Sequence, residues 1–530
     1  FVGSNSDDSR IRSNRVGLAV STANPGSASE GDVYFNSSDS GLRAYDGSAW
    51  SAVGAGGGSF TATASGTIPN GATVIIKTDG TVGVVTQTGS ADPSAGTSVV
   101  FESGNTHDVS AVYDSTNNKV IVAYTDYGNS QYGTAIVGTV SGTSISFGTA
   151  AVFESAAITS TKVTYDSAND KVVIVYADSG NSSYGTAVVG TVSGTSISFG
   201  SAVVFESANT DYISPVYDVT NEKVVIAYRD TGNSNYGTAI VGTVSGTSIS
   251  FGSPTVFESA NSIQGAATYD STNGKVVIAY RDMGNSGYLT AVVGTVSGTS
   301  ISFGSAVVFA SVDNTYLSAA FDSTNGKVIF AYSDWDNSKY GTAIVGTVSG
   351  TSISFGTAVV FESAYAGHTS IAHDSTKEKV VIAYRDNGDS GKGKAVVGTV
   401  SGTSISFGSP IVFETDSTIT TSSAYDSNNG KVVIGYRNAS SNEGEAVVFS
   451  VDTLATNLTS SNFLGFSDAA YSDGATAKIQ IAGSVDDAQS GLTTATRLFV
   501  QNDGTLSTTA GDPSVFAGTA LSATKIKVKK

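Results

Sequence analysis

The sequence lacks cysteine and contains few histidines, tryptophans and charged residues. With no Cys among 530 residues, disulfides and cysteine-ligated metals are excluded. There are only three His, and no metal-ligand, nucleophile-elbow or phosphate-loop motif occurs, so we do not expect an enzyme. No stretch approaches the roughly 18 apolar residues of a membrane-spanning helix, and we expect no membrane insertion.

Positive charge is also scarce. The chain has 27 Lys and Arg against 45 Asp and Glu, a formal net charge of −18. Because phosphate backbones are bound by clustered Lys and Arg, we do not expect a nucleic-acid partner. Gly is abundant at 61 residues, and Ser and Thr are dense throughout. This composition favours short strands and tight turns.

A repeat of 52 residues dominates the middle of the chain. One lysine recurs at this interval, at Lys119, Lys171, Lys223, Lys275, Lys327, Lys379 and Lys431. The string GTVSGTSISFG also recurs, in six copies that begin with the one at Gly138. Each unit is expected to form four strands, illustrated by 212–218, 223–230, 237–244 and 247–259, joined by turn-forming segments.

Four-stranded units repeated radially predict an all-β fold, a seven-bladed β-propeller over residues 97–451. A β-solenoid is the alternative. The ends of the repeat region favour the propeller, because residues 97–103 form a lone fourth strand before the first unit. The last unit has only three strands, which end at 444–451. The seventh blade is therefore expected to combine one N-terminal strand with three C-terminal strands.

The flanking segments are expected to form small β-domains. Residues 1–15 are interpreted as a connector and 16–53 as a hairpin module in which VYFN pairs with LRAYDG. A Gly/Ser linker is expected at 54–64. Residues 65–96 and 452–530 contain short strands with Asp-Gly turns. We expect them to form one domain into which the propeller is inserted.

Two terminal runs resemble known virion proteins. NPGSASEGDVYFNSSDSGLRAYDGSAW, in the N-terminal module, resembles modules of tail-fibre and other appendage proteins of tailed bacteriophages. GSVDDAQSGLT through LFVQNDGTLSTTAGDPSVFAGTALSATKI, near the C-terminus, is similar to a terminal module of virion structural proteins, notably of marine phages. The resemblance implies a virion-surface or extracellular location and other virion proteins as partners, and we expect a homo-oligomer. It supplies no catalytic residues.

The repeats differ from one another mainly at two places. The segment between blades and the loop between the second and third strands both vary in sequence, whereas the VSGTS turn is identical in six copies. Strand direction predicts that both variable sets lie on one face, as in a recognition surface. Drift on exposed loops is the alternative explanation. The candidate contact residues on that face are Tyr127, Trp335, His107, His368, Tyr365 and Met283. Tyr212 and Tyr316 also lie there but are expected to pack between blades.

A ring of acidic residues ends the second strands. It comprises Asp126, Asp178, Asp230, Asp282, Asp334 and Asp386, with Asn438 in the last unit. The Gly-Asn-Ser that usually follows suggests turn capping. Calcium is a second hypothesis, although it usually takes six to eight oxygens. No other cofactor is expected.

The sequence favours the first of three functions, and the other two are alternatives. The first is a virion appendage that displays the propeller for host-surface recognition, with a glycan as the expected ligand. The second is a purely structural or decorating virion component. The third is a polysaccharide-degrading tailspike or a bacterial surface adhesin. Glycoside hydrolysis needs two closely placed carboxylates, and Asp108, Asp211 and Asp313 are scattered around the expected ring.

Overall fold

The structure is a computed structural model. It describes residues 58–88, 92–311, 314–452, 455–510 and 514–529, together with four strands of the first 53 residues. Residues 1–15, the expected connector, lie outside the described part. The chain divides into a repeat domain of residues 91–453 and a flanking domain of residues 1–90 and 454–530. No helix among the described residues has the length and apolar character needed to cross a membrane.

The strands of the repeat domain pair into seven sheets, numbered 1 to 7 in chain order. The first strands are Thr106–Asp114 and Asn314–Asp322 and the second halves of Ala151–Asp166, Val203–Asp218, Thr255–Asp270, Val359–Asp374 and Ile411–Asp426. The second strands are Lys119–Asp126, Lys171–Asp178, Lys223–Asp230, Lys275–Asp282, Lys327–Asp334, Lys379–Asp386 and Lys431–Asn438. The third strands are Tyr132–Ser141, Tyr184–Ser193, Tyr236–Ser245, Tyr288–Ser297, Tyr340–Ser349, Lys392–Ser401 and Gly444–Ser450.

The fourth position of each sheet is filled by two short stretches of chain. In sheets 1 to 6 the first stretch is Ser144–Phe147, Ser196–Phe199, Ser248–Phe251, Ser300–Phe303, Ser352–Phe355 or Ser404–Phe407. The second is Val307–Ala310 in sheet 4 and the first half of a long strand in the others. In sheet 7, Val99–Glu102 and Ser94–Ala95 pair with Gly444–Ser450. This pairing is the one that the lone N-terminal strand predicts.

The hydrophobic core lies between neighbouring sheets, because the second strands are apolar on both faces. Ile121 and Ala123 of sheet 1 pack against Val172 and Ile174 of sheet 2, for example, and all four are fully buried. The same packing joins the last sheet to the first, where Phe101 and Val433 belong to one cluster with Val120. Four-stranded sheets that pack face to face in this way form a fold of the β-propeller type.

The VSGTS turns take part in the packing of neighbouring sheets. In the first five sheets, the glycine after the SISF segment lies against the threonine of the next sheet's turn. A Cβ on Gly200 would lie 1.8 Å from the carbonyl oxygen of Thr247. Gly96, which directly follows the strand Ser94–Ala95 of sheet 7, makes the same contact with Thr143 of sheet 1. The identical turns therefore have a structural cause.

The flanking domain combines segments from both sides of the repeats. Its main sheet contains Ser59–Thr63, Thr476–Gln480, Phe463–Ser467, Thr73–Ile76 and Val82–Val84, and Gln87–Thr88 pairs with Ala455–Thr456. A second sheet contains Val485–Asp486, Lys525–Val528, Val515–Ser522, Arg497–Val500 and Leu506–Ser507. The expectation of a linker at 54–64 is wrong for Ser59–Thr63. This segment is a strand with alternating exposure, and it pairs antiparallel with Thr476–Gln480.

The N-terminal strands form a separate sheet. Its strands are Ala19–Ser21, Val33–Asn36, Gly41–Tyr45 and Trp50–Val53. Val33–Asn36 pairs antiparallel with Gly41–Tyr45, as expected for the VYFN and LRAYDG segments.

Candidate ligand-binding site

The two variable sets of segments adjoin each other within the sheets. In sheet 1, Thr106 at the start of the first strand pairs with Asp126 at the end of the second. The backbone N–H of Tyr127 donates to the carbonyl of Asn105 at 2.8 Å. The segments that differ most between repeats therefore meet along one edge of each sheet.

One of these variable segments is not the loop that its sequence suggests. In five places the chain runs from the fourth strand of one sheet into the first strand of the next as a single 16-residue strand, such as Ala151–Asp166. A β-bulge interrupts the register in each first strand, between Thr159 and Lys162 in sheet 2. The bulge supplies the local twist with which the strand changes sheet.

The bulge places one residue of every sheet in the left-handed backbone conformation. These residues are Asp108, Ser160, Tyr212, Gln264, Tyr316, His368 and Thr420, with φ between 48° and 59°. This conformation costs a residue with a Cβ about 1–2 kcal/mol, and Gly or Asn adopt it most readily. None of the seven is Gly or Asn, although the backbone is the same in each. Side chains of varied chemistry are thus held at a strained position, which points to a role for them.

An aromatic cluster lies where sheets 5 and 6 adjoin. It comprises Tyr316, Trp335, Tyr365, His368 and the Lys339 ammonium. The Lys339 Nζ atom lies 4.1 Å from the Trp335 ring centroid and 5.1 Å from that of Tyr365. The Tyr316 ring lies 4.4 Å from the His368 ring and 6.4 Å from the Tyr365 ring. The fold therefore brings together three predicted contact residues, Trp335, Tyr365 and His368, with Tyr316 of the neighbouring strand.

Local sequence makes room for this cluster. At the position of His107 in sheet 1, sheet 6 has Gly367. A Cβ there would lie 3.2 Å from the Asn387 amide nitrogen and 3.5 Å from the Tyr316 ring. The Asn387 amide donates to the Tyr365 carbonyl at 3.3 Å. The glycine lets Tyr316 approach sheet 6, and Asn387 holds the backbone that carries Tyr365.

The chemistry of the cluster combines aromatic faces with neutral and cationic hydrogen-bonding groups. Burial and the nearby Arg385 guanidinium lower the pKa of His368 to about 4, so its imidazole is neutral at pH 7. Trp335 is 38% exposed, and its ring is accessible from solvent. Aromatic faces beside a few polar groups suit a ligand with both apolar faces and hydroxyls, as a sugar ring has.

The other predicted contact residues lie in different sheets. The His107 ring stacks on Tyr127 in sheet 1, with centroids 4.0 Å apart. Met283 is 41% exposed in the corresponding turn of sheet 4. Tyr212 is 40% exposed, with the Arg229 guanidinium 4.9 Å above its ring, so the expectation that it packs between blades is wrong. These residues form separate contacts and do not extend the aromatic cluster.

The acidic ring residues cap the turns that follow them. Asp126, Asp178, Asp230, Asp282 and Asp386 precede the short 3-10 helices Tyr127–Asn129, Ser179–Asn181, Thr231–Asn233, Met283–Asn285 and Asn387–Asp389. Each accepts a backbone N–H from its helix, and Asp334 accepts one from Asn337. In the described part of the chain, no three His, Cys, Asp or Glu side chains gather as metal ligands would. The capping role is observed, and calcium binding stays a hypothesis.

The acidic residues considered for hydrolysis have other partners. Asp108 accepts the Ser160 N–H at 2.9 Å, and Asp211 lies 2.5 Å from the Arg229 guanidinium. Asp313 lies outside the described residues.

His373 packs between sheets, with its Nε2 atom 3.1 Å from Asp322. Burial alone would raise the pKa of Asp322, but hydrogen bonds from His373 and Asn325 hold it at about 2.

Sequence reasoning missed Lys339, Lys162 and the seven residues with left-handed backbone, which we call the left-handed ring. Lys162 occupies a position that is Ser or Ala in every other repeat, so comparing the repeats column by column could have found it. The left-handed backbone has no such signal, because its seven residues share no type.

The packing of the VSGTS turns also weakens the argument from loop variation. Because packing explains why these turns are identical, the contrast between them and the variable segments is not by itself evidence that the variable face is a recognition surface.

No family model matches this chain, and no curated protein matches it. Solved structures are similar to it. The BP39L lectin from Burkholderia pseudomallei is 8% identical with a TM-score of 0.50, over 67% of this chain and 98% of the lectin chain. The Cps50 (Swd1) β-propeller domain from Myceliophteria thermophila is 7% identical with a TM-score of 0.43, over 66% of this chain and 98% of that domain. At such identities the similarity bears on the fold alone.

Proposed function

We propose that the repeat domain is a closed, seven-bladed β-propeller that binds carbohydrate at the aromatic cluster. The observation that carries the proposal is the convergence of Tyr316, Trp335, Tyr365 and His368 beside Lys339, on the edge where the repeats vary. The cluster offers stacking surfaces, a neutral imidazole and a cation within reach of one another. The name of the similar lectin agrees with a carbohydrate ligand but adds no residue-level support.

We further propose that the chain is an external virion component, in an appendage such as a tail or capsid fibre. The support is the resemblance of the two terminal runs to virion structural proteins. In this proposal the flanking segments attach to other virion proteins and the propeller contacts the host surface. Antibodies against the repeat domain should label an external appendage of purified virions. Labelling confined to a bacterial cell surface would instead favour an adhesin.

A glycan array with the full chain tests the binding proposal. Trp335→Ser removes a ring of the cluster and introduces the residue that sheet 2 carries at this position, Ser179. Met283→Ser is the matched control, because it removes an exposed apolar side chain at the same position of sheet 4. We expect Trp335→Ser to lower array binding at least tenfold and Met283→Ser to leave it unchanged. A parent protein that binds no glycan would refute the proposal, and equal binding by all three proteins would refute the site.

A further inference from the structure

A cavity of about 170 Å³ lies among the first strands of the repeat domain. Its lining comes from five sheets and includes Asp108, Lys162, Tyr316, His368, Thr420 and Thr421. Four of these six residues belong to the left-handed ring. Tyr316 and His368 also belong to the aromatic cluster, so the cavity and the cluster share two residues.

Lys162 replaces a residue that has a structural task in other sheets. The Ser110 and Ser214 hydroxyls accept backbone N–H groups from the next sheet, from Val163 at 3.2 Å and Ala267 at 2.9 Å. The residue of sheet 3 that corresponds to Val163 and Ala267 is Pro215, which has no backbone N–H to donate to a side chain at position 162. Since no acceptor is needed there, the position is free to carry a different side chain. The chain places a lysine there, exposed to the cavity.

Within the part of the chain that the structure describes, the groups around Lys162 form no ion pair with its ammonium, although the Asp108 carboxylate lines the same cavity. The Asp108 carboxylate accepts the Ser160 N–H at 2.9 Å and lies 3.4 Å from the Thr125 hydroxyl. The Thr420 hydroxyl oxygen is buried and has no hydrogen-bond partner. His368 is neutral at pH 7, since burial and Arg385 lower its pKa to about 4.

The Lys162 side chain is exposed to solvent in the cavity, where water can hydrate its ammonium. Desolvation by the surrounding protein lowers its pKa, and the Asp108 carboxylate acts in the opposite direction. An anion bound beside the ammonium would offset the desolvation and could accept a hydrogen bond from the Thr420 hydroxyl. The cavity therefore offers a lysine side chain and an unpaired hydroxyl next to aromatic rings.

We infer that the cavity binds the anionic group of an acidic saccharide whose sugar ring contacts Tyr316 and His368. This inference rests on the proposed carbohydrate function and names the class of ligand. The anionic group is a carboxylate, as in hexuronic acids, or a sulfate ester. Neutral saccharides can use the aromatic cluster but leave Lys162 without a partner.

Titration calorimetry with the full chain tests this inference. The ligands are a hexuronic-acid oligosaccharide, the same oligosaccharide with its carboxyls reduced to alcohols, and a sulfated galactan oligosaccharide. The protein variants are Lys162→Ser and Lys162→Arg. Serine is the residue of five other repeats at this position, so the first variant is expected to melt like the parent.

The parent is expected to bind one of the two acidic ligands at least tenfold more tightly than the reduced ligand. Lys162→Ser should lose this preference and Lys162→Arg should retain it. A Lys162→Ser protein that folds and keeps the full preference would overturn the inference while the aromatic site stands. Equal binding of acidic and reduced ligands by the parent would overturn it as well. If the parent binds none of the three and the glycan array is also blank, the proposed function itself fails.

Discussion

At the scale of single residues, the glycines that follow the SISF segments explain why the VSGTS turn is identical in its six copies. A Cβ added to any of five of them would lie between 1.8 and 2.0 Å from a threonine carbonyl oxygen of the next sheet. These five are Gly148, Gly200, Gly252, Gly304 and Gly356. Gly408 is the exception, because the last sheet has no VSGTS turn for it to meet. A Cβ on Gly408 would have only the Val397 carbonyl within reach, at 4.0 Å.

These glycines give a matched pair of substitutions. Gly200→Ala places a methyl group against the Thr247 backbone and should lower the free energy of unfolding by about 1–3 kcal/mol through overpacking. Gly408→Ala makes the same chemical change in open space and should stay within about 0.5 kcal/mol of the parent. Urea unfolding of both variants measures the difference. Equal stabilities would show that the sheets do not pack through these turns.

Residue identity predicted the strands well but not the candidate site. Continuous runs of Val, Ile, Ala and Tyr defined the second strands, since burial on both faces leaves a clear pattern in the sequence. The left-handed residues left none, because the seven share no residue type and some, such as Tyr316, are of types that rarely adopt that backbone. The meeting of Trp335 with Tyr365 depends on tertiary packing between sheets 5 and 6, which no local pattern records.

At the scale of elements, hydrogen bonds between neighbouring first strands join the sheets. The Ser110, Ser214 and Ser422 hydroxyls accept N–H groups from Val163, Ala267 and Ala111. The last of these links sheet 7 to sheet 1 at 2.9 Å, across 311 residues of sequence. The sequence did not reveal these bonds, because each joins two strands that lie about 53 residues or more apart and meet only when the sheets pack.

The hydrogen bonds of Ser214 and Ser422 predict equal contributions to the free energy of unfolding where sheet 3 meets sheet 4 and where sheet 7 meets sheet 1. Ser214→Ala and Ser422→Ala each leave a strand N–H without its acceptor, and each should lower the free energy of unfolding by about 1 kcal/mol. Alanine fits the position, since Ala266 occupies it in sheet 4. Urea unfolding at neutral pH gives both values. A cost for Ser214→Ala with none for Ser422→Ala would mean that sheets 7 and 1 are not joined in solution.

At the scale of the whole molecule, we expect stability to depend on a strand from before the first repeat. Val99–Glu102 pairs with Gly444–Ser450, and Phe101 is buried in the cluster shared by sheets 7 and 1. Without this strand, sheet 7 would expose an unpaired edge and the apolar surface around Val433 and Ala446. Exposed strand edges of this kind pair with other chains. The chain has no disulfide that could hold the ends together.

Replacing residues 97–103 with a Gly/Ser segment of equal length tests this dependence. The variant should melt at a lower temperature than the parent and form larger species in light scattering, because the edge of Gly444–Ser450 is left unpaired. Adding a synthetic peptide of residues 92–103 should restore part of the melting temperature, whereas a scrambled peptide should not. A variant that stays monomeric and melts like the parent would show that the repeat domain is held together without its N-terminal strand. The proposed closed propeller would then be wrong, and the cavity among its first strands would lose its basis.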